Sequence, residues 1–284
     1  MKNFLASSLV LLASALLLVS CTCPLAGFTR GAARATGGDL WGRVEKRGTI
    51  IFGVKADAPP FGQRKADGSF WGFDIDIARA LAHELGLKAE FVPVKSNERI
   101  PFILEGKADA VIASMTITRE REKQVDFTIP YFQDGQGLLC RKDSPVQGYR
   151  DLKGRKVGAV TGSTSGVNMV KVQPECAVLD FPDYPAAVQA LVAGKVDAMT
   201  SDTLILEGLV KARAEGDLAV RGLRFTAEPY GIAVPENQSR LRDQLNGALM
   251  ALWEKGVWHD IFQTWFGEGS NYRSDIQFNI PLTP

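Results

Sequence analysis

Short, continuous apolar runs alternate along this chain with stretches in which apolar residues recur three and four apart, and the alternation passes through two cycles. Residues 49–54 form an apolar run bounded by Gly48 and by Pro59-Pro60, which predicts a buried strand. Past a hairpin-like turn at Asp67-Gly68, Ile75, Ala78, Leu81, Ala82 and Leu85 fall on one face of a helix starting near Asp74. A strand over 89–94, a helix over 99–105 and a strand over 109–113 complete a βαβαβ unit, one half of a doubly wound sheet. A short helix over 119–124 follows, and residues 136–141 cross into a second lobe. There the pattern restarts with strands at 156–160, 177–181 and 197–200, and with helices after Ser165, over 185–193 and up to Arg213. A strand over 230–234 carries the chain back, and helices broken near Gly256 occupy 239–265. The expected fold is α/β: two doubly wound parallel-sheet lobes joined by a two-strand hinge, with 39–135 and 230–267 in lobe 1, 136–229 in lobe 2 and a tail over 268–284.

The halves also share phrases. Gly106-Lys107-Ala108-Asp109-Ala110-Val111-Ile112-Ala113-Ser114 returns as Gly194-Lys195-Val196-Asp197-Ala198-Met199-Thr200-Ser201-Asp202, with five of nine positions identical or differing only as Ala for Val. Each Gly ends an amphipathic helix and each phrase continues into a strand that runs out at Ser114 or Asp202. Ligands of open α/β sheets sit at the carboxyl ends of strands, where loops and helix N-termini converge. A second alignment, of Gly48 with Gly154, places Lys55 and Thr161 at the ends of the two first strands. Four strand ends aimed at one place predict a cleft, with Ser114 on one wall and Asp202 on the other.

Composition narrows the class. At 284 residues and 45% hydrophobic content the chain can bury one large core or two ordinary ones, and the repeats favour two. Residues 4–20 are apolar or small and follow Lys2, but 17 residues are short for a membrane span. Leu18-Val19-Ser20-Cys21 resembles a lipobox, which implies a lipoprotein signal peptide over 1–20, a lipid on Cys21 that anchors the protein to the membrane, and a flexible tether over 21–38. Without residues 1–20 the chain carries 32 basic and 32 acidic side chains, a neutral balance that offers no footprint for nucleic acid. Cys140 and Cys176 lie beside apolar strands, as buried thiols or as a disulfide that an exported setting would permit. His83 and His259 have no partner at metal-ligand spacing, so neither a metal nor another cofactor is expected.

Gly72-Phe73-Asp74-Ile75-Asp76, Thr116-Ile117-Thr118-Arg119-Glu120-Arg121, Val125-Asp126-Phe127-Thr128-Ile129-Pro130-Tyr131, Gly162-Ser163-Thr164 and the two Gly-Lys-x-Asp-Ala phrases occur in order within residues 40–267. Together they resemble the bacterial extracellular solute-binding proteins of family 3, the amino-acid-binding components of ABC importers, and most of all the aspartate- and glutamate-binding members. The resemblance implies a periplasmic-binding-protein-like type II fold whose lobes close on an amino acid, and an ABC permease in the cytoplasmic membrane as partner. It also implies a monomer outside the cytoplasm that catalyses nothing.

An enclosed amino acid needs a cation for its carboxylate and an anion for its ammonium, because a buried unpaired charge is costly. Arg121 is suited to the carboxylate as a planar fork; read alone it is equally a solvated helix-surface residue, and the match to the family's clamping position separates the two. Thr164 lies where a strand turns into a helix and either faces an anion or caps the helix. Asp202 is the counter-charge to the ammonium, or an N-cap. Lys55 and Arg99, beside Ser114, match positions that hold a side-chain carboxylate in the acidic-amino-acid binders; read alone they are loop and first-turn surface residues. Thr116 and Tyr184, in matched segments, complete the candidate set.

Three cations against Asp202 suit two carboxylates and one ammonium, so glutamate or aspartate is the expected ligand, with glutamine, asparagine or another polar amino acid as the alternative. Ala58 stands where many members stack an aromatic ring over the ligand, leaving Phe61, Phe70 and Trp71 as wall or core candidates. A few proteins resembling this family are dehydratases of the cyclohexadienyl type, which need a protonated carboxyl group in the cleft. Cationic surroundings should keep Asp202 ionised, which argues against that chemistry.

Overall fold

The computed structural model describes residues 38–213 and 215–279; the expected signal peptide, Cys21 and nearly all of the tether lie outside the described residues. Two five-stranded sheets organise two lobes. The first runs Lys88–Pro93, Thr49–Val54, Ala110–Val111, Ala233–Pro235, Val125–Phe127, and the second runs Ala177–Phe181, Lys156–Val160, Ala198–Asp202, Gln136–Arg141, Leu218–Arg221. The first three strands of each are parallel, as a βαβαβ unit requires.

The sheets are nonetheless mixed rather than wholly parallel. Ala233–Pro235 and Gln136–Arg141 are antiparallel to their neighbours because each arrives directly from the other lobe, with no crossover helix to turn the chain round. Between the lobes runs a ribbon of Phe132–Asp134 paired with Glu228–Tyr230. The expected strand over 230–234 is therefore split, its first part in the ribbon and its second in the sheet. Gly231 marks the break: a Cβ there would lie 2.8 Å from Ile117 Cγ1. The helix Leu40–Arg47 and the strand Leu218–Arg221 are additions to the sequence reading.

The repeated phrases have a structural cause. Gly106 and Gly194 adopt φ of 67° and 68°, the left-handed turn that ends a helix at low steric cost. Asp109 then accepts the N–H of Ile51 at 2.7 Å and a hydrogen bond from Arg47, while Asp197 accepts the N–H of Lys156 at 2.9 Å and pairs with Arg155 at 3.3 Å. Each phrase thus fastens the start of its lobe's first strand. Register corrects the alignment by one residue: Gly53 sits opposite Val111 as Gly158 sits opposite Met199, so Gly53 is matched with Gly158 and Lys55 with Val160. The slip arises before the strand, which begins one residue after Gly48 in lobe 1 and two after Gly154 in lobe 2. Thr161 is accordingly exposed.

Phe61 is wholly buried, with ring centroids 5.2 Å from Phe132, 5.4 Å from Tyr230 and 5.7 Å from Phe266. Phe70 packs on Phe91 and Trp71 on Trp265. All three aromatic candidates therefore serve packing. Cys140 is buried, Cys176 is half-buried, and both are free thiols.

Candidate functional site

Strand ends of both sheets meet at a cleft lined by all eight of the residues singled out from sequence, from Lys55, Arg99, Ser114, Thr116 and Arg121 on one side to Thr164, Tyr184 and Asp202 on the other. Lys55, just past the first strand of lobe 1, is 1% exposed. Its ammonium lies 2.8 Å from Asp57 Oδ1, donates to Ser96 Oγ at 3.2 Å, and is 5.2 Å from the centroid of the Tyr184 ring. Burial lowers its pKa, and Asp57 opposes that shift.

Arg99 is not the exposed first-turn residue of the surface alternative. It is 4% exposed and donates to four backbone carbonyls: Ser96 O at 3.0 Å, Ala113 O at 3.1 Å, Ser114 O at 3.2 Å and, across the cleft, Gly162 O at 2.9 Å. Arg121 shares that carbonyl, donating to Gly162 O at 3.0 Å and to Thr116 O at 2.6 Å. Burial, then the charge of Arg99, lower its pKa to about 9, which still leaves the guanidinium charged at neutral pH.

Ser114 has φ of 45°, a left-handed conformation unusual for a side-chain-bearing residue. It is held there by Asp74, whose Oδ2 accepts from Ser114 N at 2.8 Å and Oγ at 3.1 Å while Oδ1 accepts from the Tyr131 hydroxyl at 2.8 Å. Burial raises the Asp74 carboxyl to about 7 against the pull of these hydrogen bonds.

The capping alternatives fail for Asp202 and Thr164, since neither side chain caps its helix. Asp134 takes that role beside Asp202, accepting the N–H of Leu204 at 2.9 Å. The Asp202 carboxylate accepts instead from the hydroxyl of Tyr230. Its surroundings correct the expectation of a firmly ionised group: burial first, then the nearby charges of Asp134 and Glu228, raise its pKa to about 8. Tyr184 places its hydroxyl 3.2 Å from Ser201 Oγ and its N–H 3.3 Å from Asp57 Oδ2.

Residues 50–268 match the bacterial extracellular solute-binding proteins, family 3. The chain belongs to that family. The ABC transporter glutamine-binding protein GlnH of Bacillus subtilis (strain 168) is 39% identical over 273 residues, 94% of this chain and 98% of that protein. The glutamine-binding protein of Geobacillus stearothermophilus is 45% identical over 195 residues, 67% of this chain and 74% of that one. Among solved structures, an ancestral arginine-binding protein bound to glutamine matches with a TM-score of 0.75 at 42% identity, over 78% of this chain and 99% of that one. As a family 3 protein the chain is an amino-acid-binding component of an ABC importer, working outside the cytoplasm with a membrane permease.

Sequence reasoning passed over Asp57, Asp74, Gln136 and Glu228, all of which join the site's hydrogen-bond network. Asp57 had a signal, since it lies two residues from Lys55 in sequence. Glu228 had none: it reaches Thr116 and Thr164 from 112 and 64 residues away.

Proposed function

We propose that this family 3 protein captures a neutral polar amino acid, glutamine first, by closing its lobes around it, and that a lipid on Cys21 holds it near the permease. The reading rests above all on the Lys55–Asp57 pair. Counting Lys55, Arg99 and Arg121 against Asp202 alone pointed to an acidic ligand, but Lys55 has its counter-ion at 2.8 Å and Glu228 adds another carboxylate. With Asp57 and Glu228 included, and Asp202 ionised by the ligand's ammonium, three cations face three anions, a balance that a zwitterion with an uncharged side chain preserves and a glutamate upsets. An ammonium has three donors. Asp57 and Ser96 take two from Lys55, and the third suits a neutral carboxamide oxygen. Similarity to the two glutamine-binding relatives supports the same choice. In the proposed site Arg121 meets the α-carboxylate, Asp202 the ammonium, and Lys55 with Asp57 the side chain.

Calorimetry with glutamine, glutamate, asparagine, aspartate and arginine at neutral pH tests the ligand, with glutamine expected to bind at least about tenfold more tightly than glutamate. Asp57→Asn uncovers the Lys55 charge and should narrow that ratio about tenfold or more, the worth of a charge-assisted hydrogen bond. A wild-type protein that prefers glutamate, or an Asp57→Asn variant with an unchanged ratio, overturns the assignment.

A further inference from the structure

Glu228 lies in the ribbon between the lobes, is 2% exposed, and gathers donors from both sides. Its Oε2 accepts from Thr116 Oγ1 at 2.7 Å and from Thr164 Oγ1 at 2.9 Å, and its Oε1 accepts from Asn168 Nδ2 at 3.0 Å. Thr116 follows the third strand of lobe 1, whereas Thr164 and Asn168 open the lobe 2 helix Ser165–Val172. A hydroxyl has one proton to donate. With both threonine protons directed at one Glu228 oxygen, the two hydroxyls present only lone pairs elsewhere, and a ligand carboxylate must be met by Arg121 and backbone N–H groups.

We propose that Glu228 is a positioning residue whose hydrogen bonds fasten the closed lobes to each other and so set how long a captured amino acid stays. The proposal rests on the capture-by-closure reading above. Three hydrogen bonds to one buried carboxylate form together only when Thr116 and the Thr164–Asn168 turn stand on either side of the ribbon. Opening the lobes parts the two sets of donors and leaves a buried acceptor short of partners, which is costly. Because the contact completes only on closure, its loss belongs in the dissociation rate and not in the encounter. Asn168 makes a clean second probe: it is half-buried on the helix surface and its amide nitrogen donates to Glu228.

Stopped-flow and competition kinetics on the full chain test this with Glu228→Gln, Asn168→Ala and the double variant, using whichever amino acid the wild type binds tightest. Each single variant is expected to raise koff about three- to thirtyfold and leave kon within about twofold. For Asn168→Ala, which changes no charge in the cleft, the factor should be the same for every amino acid bound. Glu228→Gln removes the charge and one of the two acceptor oxygens, and Asn168→Ala removes a donor to the same group, so the double should cost less than the two singles together. An unchanged koff, a loss carried by kon, an Asn168→Ala factor that differs between ligands, or fully additive effects would each overturn the proposal. If Glu228→Gln does not fold, koff and kon of Asn168→Ala decide alone. A wild type that prefers an amino acid other than glutamine refutes the ligand assignment and leaves this comparison intact.

Discussion

Asp202 has a folded-state pKa of about 8 against an ordinary carboxylate value of 3.8, because burial and the charges of Asp134 and Glu228 disfavour its ionised form. An incoming ammonium reverses that preference, so capture should expel the proton that Asp202 holds below about pH 8. Affinity is then expected to rise with pH up to about 8, by at most about one decade per unit. Calorimetry near pH 6.5 in buffers of different ionisation enthalpy should show proton release approaching one per ligand. Asp202→Asn should abolish the release as well as weaken binding, and a wild type that releases no proton would show that the ammonium does not meet Asp202. A raised pKa has the opposite sign for the fold. Asp74 keeps its lobe 1 partners Ser114 and Tyr131 whether or not the lobes part; protonated, with its pKa at about 7, it supports the ligand-free protein fully below its unfolded value of 3.8, and that support is lost as pH rises through about 7. Between those limits the ligand-free melting temperature should fall and affinity should rise.

At the scale of elements, the Asp of each Gly-Lys-x-Asp-Ala phrase works far from the cleft, tying a helix-to-strand turn to the neighbouring strand. The Asp109 side chain is 9% exposed, whereas the Asp197 side chain is 37% exposed. Asp109→Ala should therefore cost more, about 1 to 3 kcal/mol for a backbone donor left unsatisfied, than Asp197→Ala, whose donor water can reach. Urea unfolding with an unchanged m-value checks the difference. Glutamine affinity should be unchanged in both, and a loss of affinity without a loss of stability would move these residues into the site. The repeat thus marks a shared way of starting a sheet, and the ligand groups diverge at its end, where Ser114 and Asp202 share neither chemistry nor backbone conformation.

For the whole molecule, the proposed closure requires close backbone approach. Gly208 lies inside the lobe 2 helix Thr203–Lys211, where alanine would ordinarily favour the helix by about 0.5 to 1 kcal/mol. A Cβ there would lie 2.0 Å from Pro59 O on the lobe 1 side. Gly208→Ala is therefore expected to leave the ligand-free melting temperature level or raised while weakening glutamine at least about tenfold. It should also shrink the ligand-induced thermal shift, which for wild type corresponds to about 2.7 kcal/mol at a hundredfold excess over Kd. Full affinity with normal compaction in X-ray scattering would show that the lobes need not come this close.

Much of this was legible in the chain before any folding. The period of the apolar positions set the order of strands and helices, and the rule that ligands gather at carboxyl ends of parallel strands brought Ser114 and Asp202 to the cleft. Family motifs supplied Arg121 and Thr164, which neither period nor spacing distinguishes from surface residues. Such readings work because strand periodicity and helix ends depend on neighbours within a few residues. Tertiary structure decided the rest: the mixed sheets, the one-residue register shift, the packing role of Phe61, and above all the balance of charge. A pair interacts according to its separation in space and its burial, and neither is a property of a local window. Thr116 meets Glu228 across 112 residues of chain, and Asp202 has its pKa raised by Asp134 and Glu228, which the sequence places far from it on either side. Sequence therefore named the charged groups at the strand ends, while the fold determined which of them stand already answered.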